Sequence, residues 1–342
     1  MNHGNPLNQT TTIMIMKLRS RSLQAALVLA LGAAGFAQPL PVQAAAPMVK
    51  TQAPGFYRMM LGAYEITALS DGTVDLPAEA LLHAPASDVA RHLRANHQNS
   101  PVETSINAYL VNTGAKLVLI DTGTGSLMGP ELGKLEASLR AAGYQPEQVD
   151  EILLTHAHPD HVGGLATGGK RVFANAIIRI EQDEANYWMS SERMGKAQEM
   201  ARGFFEGAIA SLTPYADAGR IVPFRAGAQL LPGISAITAH GHTVGHTVYA
   251  VESQGQRLLV IGDLIHVGAV QLQNPQVTIA FDMDEKAAAA TRLKFFSDAA
   301  RSGELLAASH LSFPGIGRLI KTGKSFRWEP ISYTTQFTSA TP

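Results

Sequence analysis

The stretch Leu153-Leu154-Thr155-His156-Ala157-His158-Pro159-Asp160-His161-Val162-Gly163-Gly164 sets three imidazoles and a carboxylate close together, directly after an apolar run. Packing gives no reason to crowd these groups at the mouth of a strand, because each carries nitrogens or oxygens that cost free energy when buried without a partner. A divalent cation satisfies them all. In an extended HxH, His156 and His158 project to the same side and can reach one ion, while Asp160 and His161 follow the turn at Pro159 and can face a second. A strand, then HxHxDH, then Gly-Gly therefore reads as a metal site, and as two sites more readily than one.

Four ligands do not close two sites, so partners are expected further along, at the ends of strand-like runs where a layered α/β protein gathers its chemistry. His242 stands in Ala239-His240-Gly241-His242-Thr243-Val244-Gly245-His246, Asp263 ends the apolar run Leu258-Leu259-Val260-Ile261-Gly262, and His310 follows Glu304-Leu305-Leu306-Ala307-Ala308-Ser309. This pattern resembles the metallo-β-lactamase superfamily, with every ligand position filled. The resemblance implies that His156, His158 and His242 hold one metal, that Asp160, His161 and His310 hold the other, and that Asp263 bridges them. It makes Asp160 and Asp263 the catalytic carboxylates beside a hydroxide shared by the metals. Asp121, in Asp121-Thr122-Gly123, would orient a ligand histidine, and His240 and His246 would support or pack against the centre.

The chain has no cysteine, so the ligands are limited to imidazole and carboxylate. Zinc suits that set best, with manganese, cobalt or iron as alternatives. With 27 basic against 28 acidic residues there is no electrostatic footprint for nucleic acid, and a small, uncharged substrate is expected. Two divalent ions sharing a carboxylate lower the pKa of a common water towards about 7 and supply a nucleophile without a protein base. Gly123-Thr124-Gly125 after Leu117-Val118-Leu119-Ile120 looks like the opening of a dinucleotide fingerprint, but the next glycine, Gly129, falls one position late.

The N-terminal segment reads as an export signal. Lys17, Arg19 and Arg21 form a basic region, Leu23–Phe36 is apolar and rich in Ala and Leu, and small residues for cleavage lie around Ala44. An apolar run of about 14 residues is short of the ~20 that a membrane span needs. Met16 is a candidate start, and a periplasmic or secreted location is expected. Residues 45–342 then suit a single domain with no membrane contact.

Periodicity predicts strands at 64–69, 108–111, 117–120, 151–154, 234–238, 248–252 and 258–261. It predicts helices at about 131–142, 183–189, 196–215 and 284–300. That alternation gives an α/β fold; the resemblance makes it an αββα sandwich.

The resemblance runs from about Thr104 to Tyr333 and is nearest to the methyl parathion hydrolase family and its lactone- and aryl-ester-hydrolysing relatives. It is carried by stretches such as Ala142-Gly143-Tyr144-Gln145-Pro146 and Ser309-His310-Leu311-Ser312-Phe313-Pro314-Gly315-Ile316-Gly317. It implies a homodimer with an aromatic-lined entrance, where Trp188 and Phe204 would form walls and Met128 would take a place that is aromatic in the organophosphate branch. The chain departs from that branch at Leu81 (arginine there), His266 (leucine), Ile279 (threonine) and Phe281 (leucine), and is one residue shorter before Phe204. Bulk from His266 and Phe281 should favour a planar lactone such as dihydrocoumarin, or an aryl ester, over a tetrahedral phosphotriester.

Overall fold

Short runs of β-branched and aliphatic residues, buried on both faces, pair into two seven-stranded sheets. The computed structural model describes residues 46–225 and 227–337; the export segment expected at 1–44 lies outside them. In chain order the strands are β1 (Phe56–Leu61), β2 (Tyr64–Leu76), β3 (Val102–Asn112), β4 (Leu117–Ile120) and β5 (Glu151–Leu153). A small hairpin of β6 (Ala166–Thr167) and β7 (Lys170–Arg171) precedes β8 (Ile177–Glu181) and β9 (Ile221–Phe224). Then come β10 (Gln229–Leu231), β11 (Ile234–Thr238), β12 (Thr247–Ser253), β13 (Gln256–Gly262), β14 (Leu305–Ala308), β15 (Ile316–Thr322) and β16 (Ser325–Pro330).

One sheet runs β1-β2-β3-β4-β5-β8-β9 and the other β10 to β16 in sequence order. Pairing is parallel from β4 to β9 and between β13 and β14, and antiparallel elsewhere. The parallel connections require crossovers, which helices supply.

The apolar clusters define the layers. Ile66, Tyr109, Val118, Leu153, Tyr249, Val260 and Ala307 fill the space between the sheets. Leu139, Phe205, Leu212 and Tyr215 bring the helices Leu135–Ala141 and Glu199–Ala216 onto the outer face of the first sheet. Phe295, Phe296 and Ala299 bring the helix Glu285–Ser302 onto the outer face of the second. This is the αββα sandwich of the metallo-beta-lactamase fold. Each fully buried aliphatic side chain contributes roughly 1.5–3 kcal/mol to it.

The structure extends several predicted elements. The strand expected at 64–69 continues to Leu76, and the one expected at 108–111 begins at Val102. In both, polar residues sit where alternation fades, and pairing with the neighbouring strand carries them on. The helix expected from 131 begins at Leu135, after a glycine-rich turn. Asp284 caps the helix Glu285–Ser302 through the N–H of Ala287.

Both sheets deliver their chemistry at one edge. β5 leads into Thr155 and the ligand run, Pro159 opens the short helix Pro159–Val162, and Gly163-Gly164 lets that turn lie against the loop after β4. A Cβ on Gly164 would stand 2.0 Å from the carbonyl oxygen of Thr122. Gly164→Ala must therefore push two backbones apart, an overpacking cost of about 1–3 kcal/mol. A lowered denaturant midpoint at unchanged slope is the expected result; an unchanged midpoint would mean that the two loops do not depend on this approach.

Candidate metal centre

The structure gathers all seven residues expected as ligands into two groups, all buried except the half-buried Asp160. His156, His158, His242 and Asp263 form one, and Asp160, His161, His310 and Asp263 the other, with the ligating atoms of each group within 4.8 Å of one another. Asp263 belongs to both and reaches them through its two oxygens, with His310 Nε2 also 3.2 Å from Oδ2. Oδ2 lies 3.6 Å from His156 Nε2 and 3.3 Å from His242 Nε2. Oδ1 lies 3.1 Å from both His161 Nε2 and His310 Nε2. Asp160 Oδ2 closes the second group at 3.4 Å from each of those same two nitrogens.

Three of the ligand rings are aimed by a partner on the other edge. His161 Nδ1 donates to Asp121 Oδ2 at 2.9 Å, the orienting contact expected of Asp121. Asp121 has φ 61 and is held in this left-handed conformation by accepting from the N–H and hydroxyl of Thr155, each at 2.8 Å. His242 Nδ1 donates to Asp282 Oδ1 at 2.8 Å, and His310 Nδ1 to the carbonyl of Ser105 at 3.0 Å. His246 accepts the N–H of Asp263 on Nε2 at 3.1 Å and stands across from Ala239 O at 3.2 Å. It supports the shared carboxylate from behind.

Three buried carboxylates tie the loops together and were not found in the sequence. Glu184 accepts the N–H of Ala157, between two ligands, and the N–H of Gly245, in the His242 loop, at 2.9 and 2.8 Å. Asp71 accepts from Thr124, Gly133 and Leu135 and so fixes the loop that carries Asp121. Asp282 anchors His242. Their partners are largely backbone N–H groups, which leave no motif; a lone acid inside an apolar stretch is the only trace of each.

The electrostatics of the bare cluster match a cation site. Among the described residues, His156 Nε2, His161 Nε2 and Asp263 Oδ1 are buried without a hydrogen-bond partner, a costly state that a cation would relieve. Burial holds His156 and His158 neutral, well below the ordinary histidine value. Burial also opposes charge on His161, but Asp263, Asp160 and Asp121 outweigh it and raise its pKa well above that value. His242 is raised to about 9 against burial by Asp263 and Asp282. In both groups an imidazolium stands where a metal would supply the positive charge.

The expected pocket residues fall into four positions. His158 packs against Trp188 and Phe204, with ring centroids 5.1 and 4.6 Å away; Phe281 follows Phe204 at 6.1 Å, and His266 follows Phe281 at 6.0 Å. His266 stacks on His310 at 5.0 Å and its Nε2 lies 3.1 Å from Asp263 Oδ2, so it sits against the centre itself. Trp188 is 2% exposed and belongs to the core under the first sheet, behind Phe204. Ile279 is fully buried and bridges to Leu82, with Leu81 and Phe281 packed on the same small cluster, so Leu81 and Ile279 shape the segment that carries Phe281. Met128 is exposed on the loop after β4. His240 is partly buried, and the helices Ala78–Leu81 and Ala86–Ala95 occupy the polar segment that contains His83 and His92.

A ligating imidazole must be neutral, so loading has to expel the proton that His242 holds up to pH of about 9. Metal binding at neutral pH should therefore release protons, and affinity should rise as pH rises towards that value. Calorimetric titration at pH 7 in buffers of different ionisation enthalpy checks this; a binding heat independent of buffer would contradict it.

Comparison with known proteins agrees with this geometry. The metallo-beta-lactamase superfamily model matches residues 101–310. A solved hydrolase of the beta lactamase superfamily, AbOPH, is 38% identical with a TM-score of 0.79, over 83% of this chain and 100% of that one. AidC, a dizinc quorum-quenching lactonase solved with a product, is 28% identical with a TM-score of 0.76, over 82% and 99%. A probable metallo-hydrolase of Mycobacterium bovis is 26% identical over 51% of this chain and 62% of its own length. The chain spans less than two thirds of the length of the first curated relatives it matches. With the fold, the paired ligand groups and the family model in agreement over the same residues, the chain belongs to the metallo-beta-lactamase superfamily.

Proposed function

We propose that the chain is a binuclear-metal hydrolase that opens lactones and aryl esters of the dihydrocoumarin type, with organophosphate triester hydrolysis as a weaker side activity. His156, His158 and His242 would hold one ion, Asp160, His161 and His310 the other, and Asp263 both, with zinc the proposed metal. Two such ions supply a water activated at neutral pH and a Lewis acid for the carbonyl oxygen. The chain's own residues supply orientation. Asp121, Asp282 and the carbonyl of Ser105 point the ring nitrogens inward, and Phe204, Phe281 and His266 border the imidazoles with flat, largely apolar faces.

The observation that carries the substrate class is the position of His266 and Phe281. His266 Nε2 stands 3.1 Å from Asp263 Oδ2, and Phe281 lies between Phe204 and His266 at 6.1 and 6.0 Å. A planar ester can lie along these rings, whereas a tetrahedral phosphotriester needs room for two alkoxy arms. Among the described residues, the ion pairs of Asp160 and Asp263 are all to imidazoles. The dizinc lactonase among the structural relatives is in keeping with both the metal and the reaction. Export by the N-terminal segment and assembly as a homodimer complete this reading.

Parallel kcat/KM measurements on dihydrocoumarin, phenyl acetate and methyl paraoxon, with a chelator-stripped control, test it. The lactone should lead the phosphotriester by about 100-fold or more, ~2.7 kcal/mol of differential transition-state binding. A preference for the phosphotriester would overturn the substrate assignment. Asp263→Ala should abolish turnover with the far-ultraviolet circular dichroism retained; wild-type rates in that variant would remove the bridging carboxylate from the mechanism.

A further inference from the structure

Arg292, on the helix Glu285–Ser302, is 1% exposed. Its guanidinium donates to the carbonyl of Leu264, beside Asp263, and to those of Pro275 and Val277 at 3.0 and 2.9 Å, and lies 3.5 Å from Asp282 Oδ2. Asp282 is buried too, and splits its oxygens between two tasks. Oδ1 accepts from His242 Nδ1 at 2.8 Å, and Oδ2 accepts the N–H of Ile279 at 3.1 Å.

Burying a guanidinium and a carboxylate is costly, and well-packed apolar residues would often fill the same space with equal or better stability. What an ion pair offers and an apolar pair cannot is direction. With Nδ1–H committed to Asp282, His242 turns Nε2 towards Asp263 and His158, so that loss of the Nε2 proton leaves its lone pair aimed into the centre. The same carboxylate fixes the backbone of Ile279, two residues before Phe281, and the same guanidinium holds the carbonyl that follows Asp263.

We infer that Asp282 and Arg292 are positioning residues that set the His242 side of the centre, separately from the Asp121 contact that sets the His161 side. Asp282 fixes the tautomer and plane of His242. Arg292 locks Asp282, the chain after Asp263 and the segment leading to Phe281 into one frame. The inference rests on reading the cluster as a two-metal centre.

Stepwise zinc affinities, measured by competition with a chromophoric chelator, and the absorption spectrum of the cobalt-substituted protein test it in wild type, Asp282→Asn, Arg292→Lys and Asp121→Asn. Asp282→Asn keeps the volume but loses the charge, and Arg292→Lys keeps the charge but loses the fork. Both should weaken the same one of the two zinc equivalents by roughly 10–100-fold, the usual cost of losing an outer partner, and leave the other unchanged. Asp121→Asn should weaken the opposite equivalent, and the cobalt bands should change in complementary ways. Should one of the pair fail to fold, the other carries the same comparison. Equal weakening of both equivalents, no weakening, or loss of the same equivalent in Asp121→Asn and Asp282→Asn overturns the inference. Fewer than two zinc ions in the wild type overturns the two-metal reading along with it, whereas two zinc ions with no selective loss in the variants overturns the inference alone.

Discussion

Asp263 stands between two imidazole groups with its carboxylate in reach of both, and the rest of the architecture can be understood from what that arrangement demands. A carboxylate that is 2% exposed and surrounded by imidazoles is stable only with compensating positive charge at fixed positions. In the bare chain, imidazolium at His161 and His242 plays that part. Two divalent ions would do so with more charge and with open positions for water and substrate. The fold must therefore deliver ligands from both sheets to one edge with little freedom to relax.

It does so through buried acids that hold backbone. Glu184 joins the HxHxDH loop to the His242 loop, Asp71 holds the loop that carries Asp121, and His246 holds the N–H of Asp263. Burial raises the pKa of Glu184, and its two backbone donors oppose that rise. These contacts link ligand loops from distant parts of the chain, so the geometry depends on the register of both sheets and not on any one motif. Preorganised polar groups of this kind need no rearrangement when charge develops on a substrate.

The sequence disclosed the centre better than its supports. The ligands lie at the ends of apolar runs, in a spacing that packing does not explain, and the structure brings all of them together. Strands with steady apolar character, such as β4 and β11, match their expected limits, whereas β2 and β3 run on through polar residues that only pairing keeps in place. Glu184 and Arg292 were missed because an acid satisfied by backbone N–H groups, or an arginine satisfied by carbonyls, has no partner of fixed spacing in the sequence, and Asp282 because its side-chain partners His242 and Arg292 stand far from it along the chain. Trp188 shows the opposite limit. The resemblance put it at a pocket wall; the structure buries it in the core under the first sheet, with its ring 5.1 Å from that of His158.

The central claim is that one carboxylate is shared by two metals. Anomalous scattering at the zinc edge from crystals of the zinc-loaded protein tests it most directly. Two peaks are expected, one among His156 Nε2, His158 Nδ1 and His242 Nε2, the other among Asp160, His161 Nε2 and His310 Nε2, with Asp263 in contact with both. A single peak, or two peaks of which only one touches Asp263, would contradict the account.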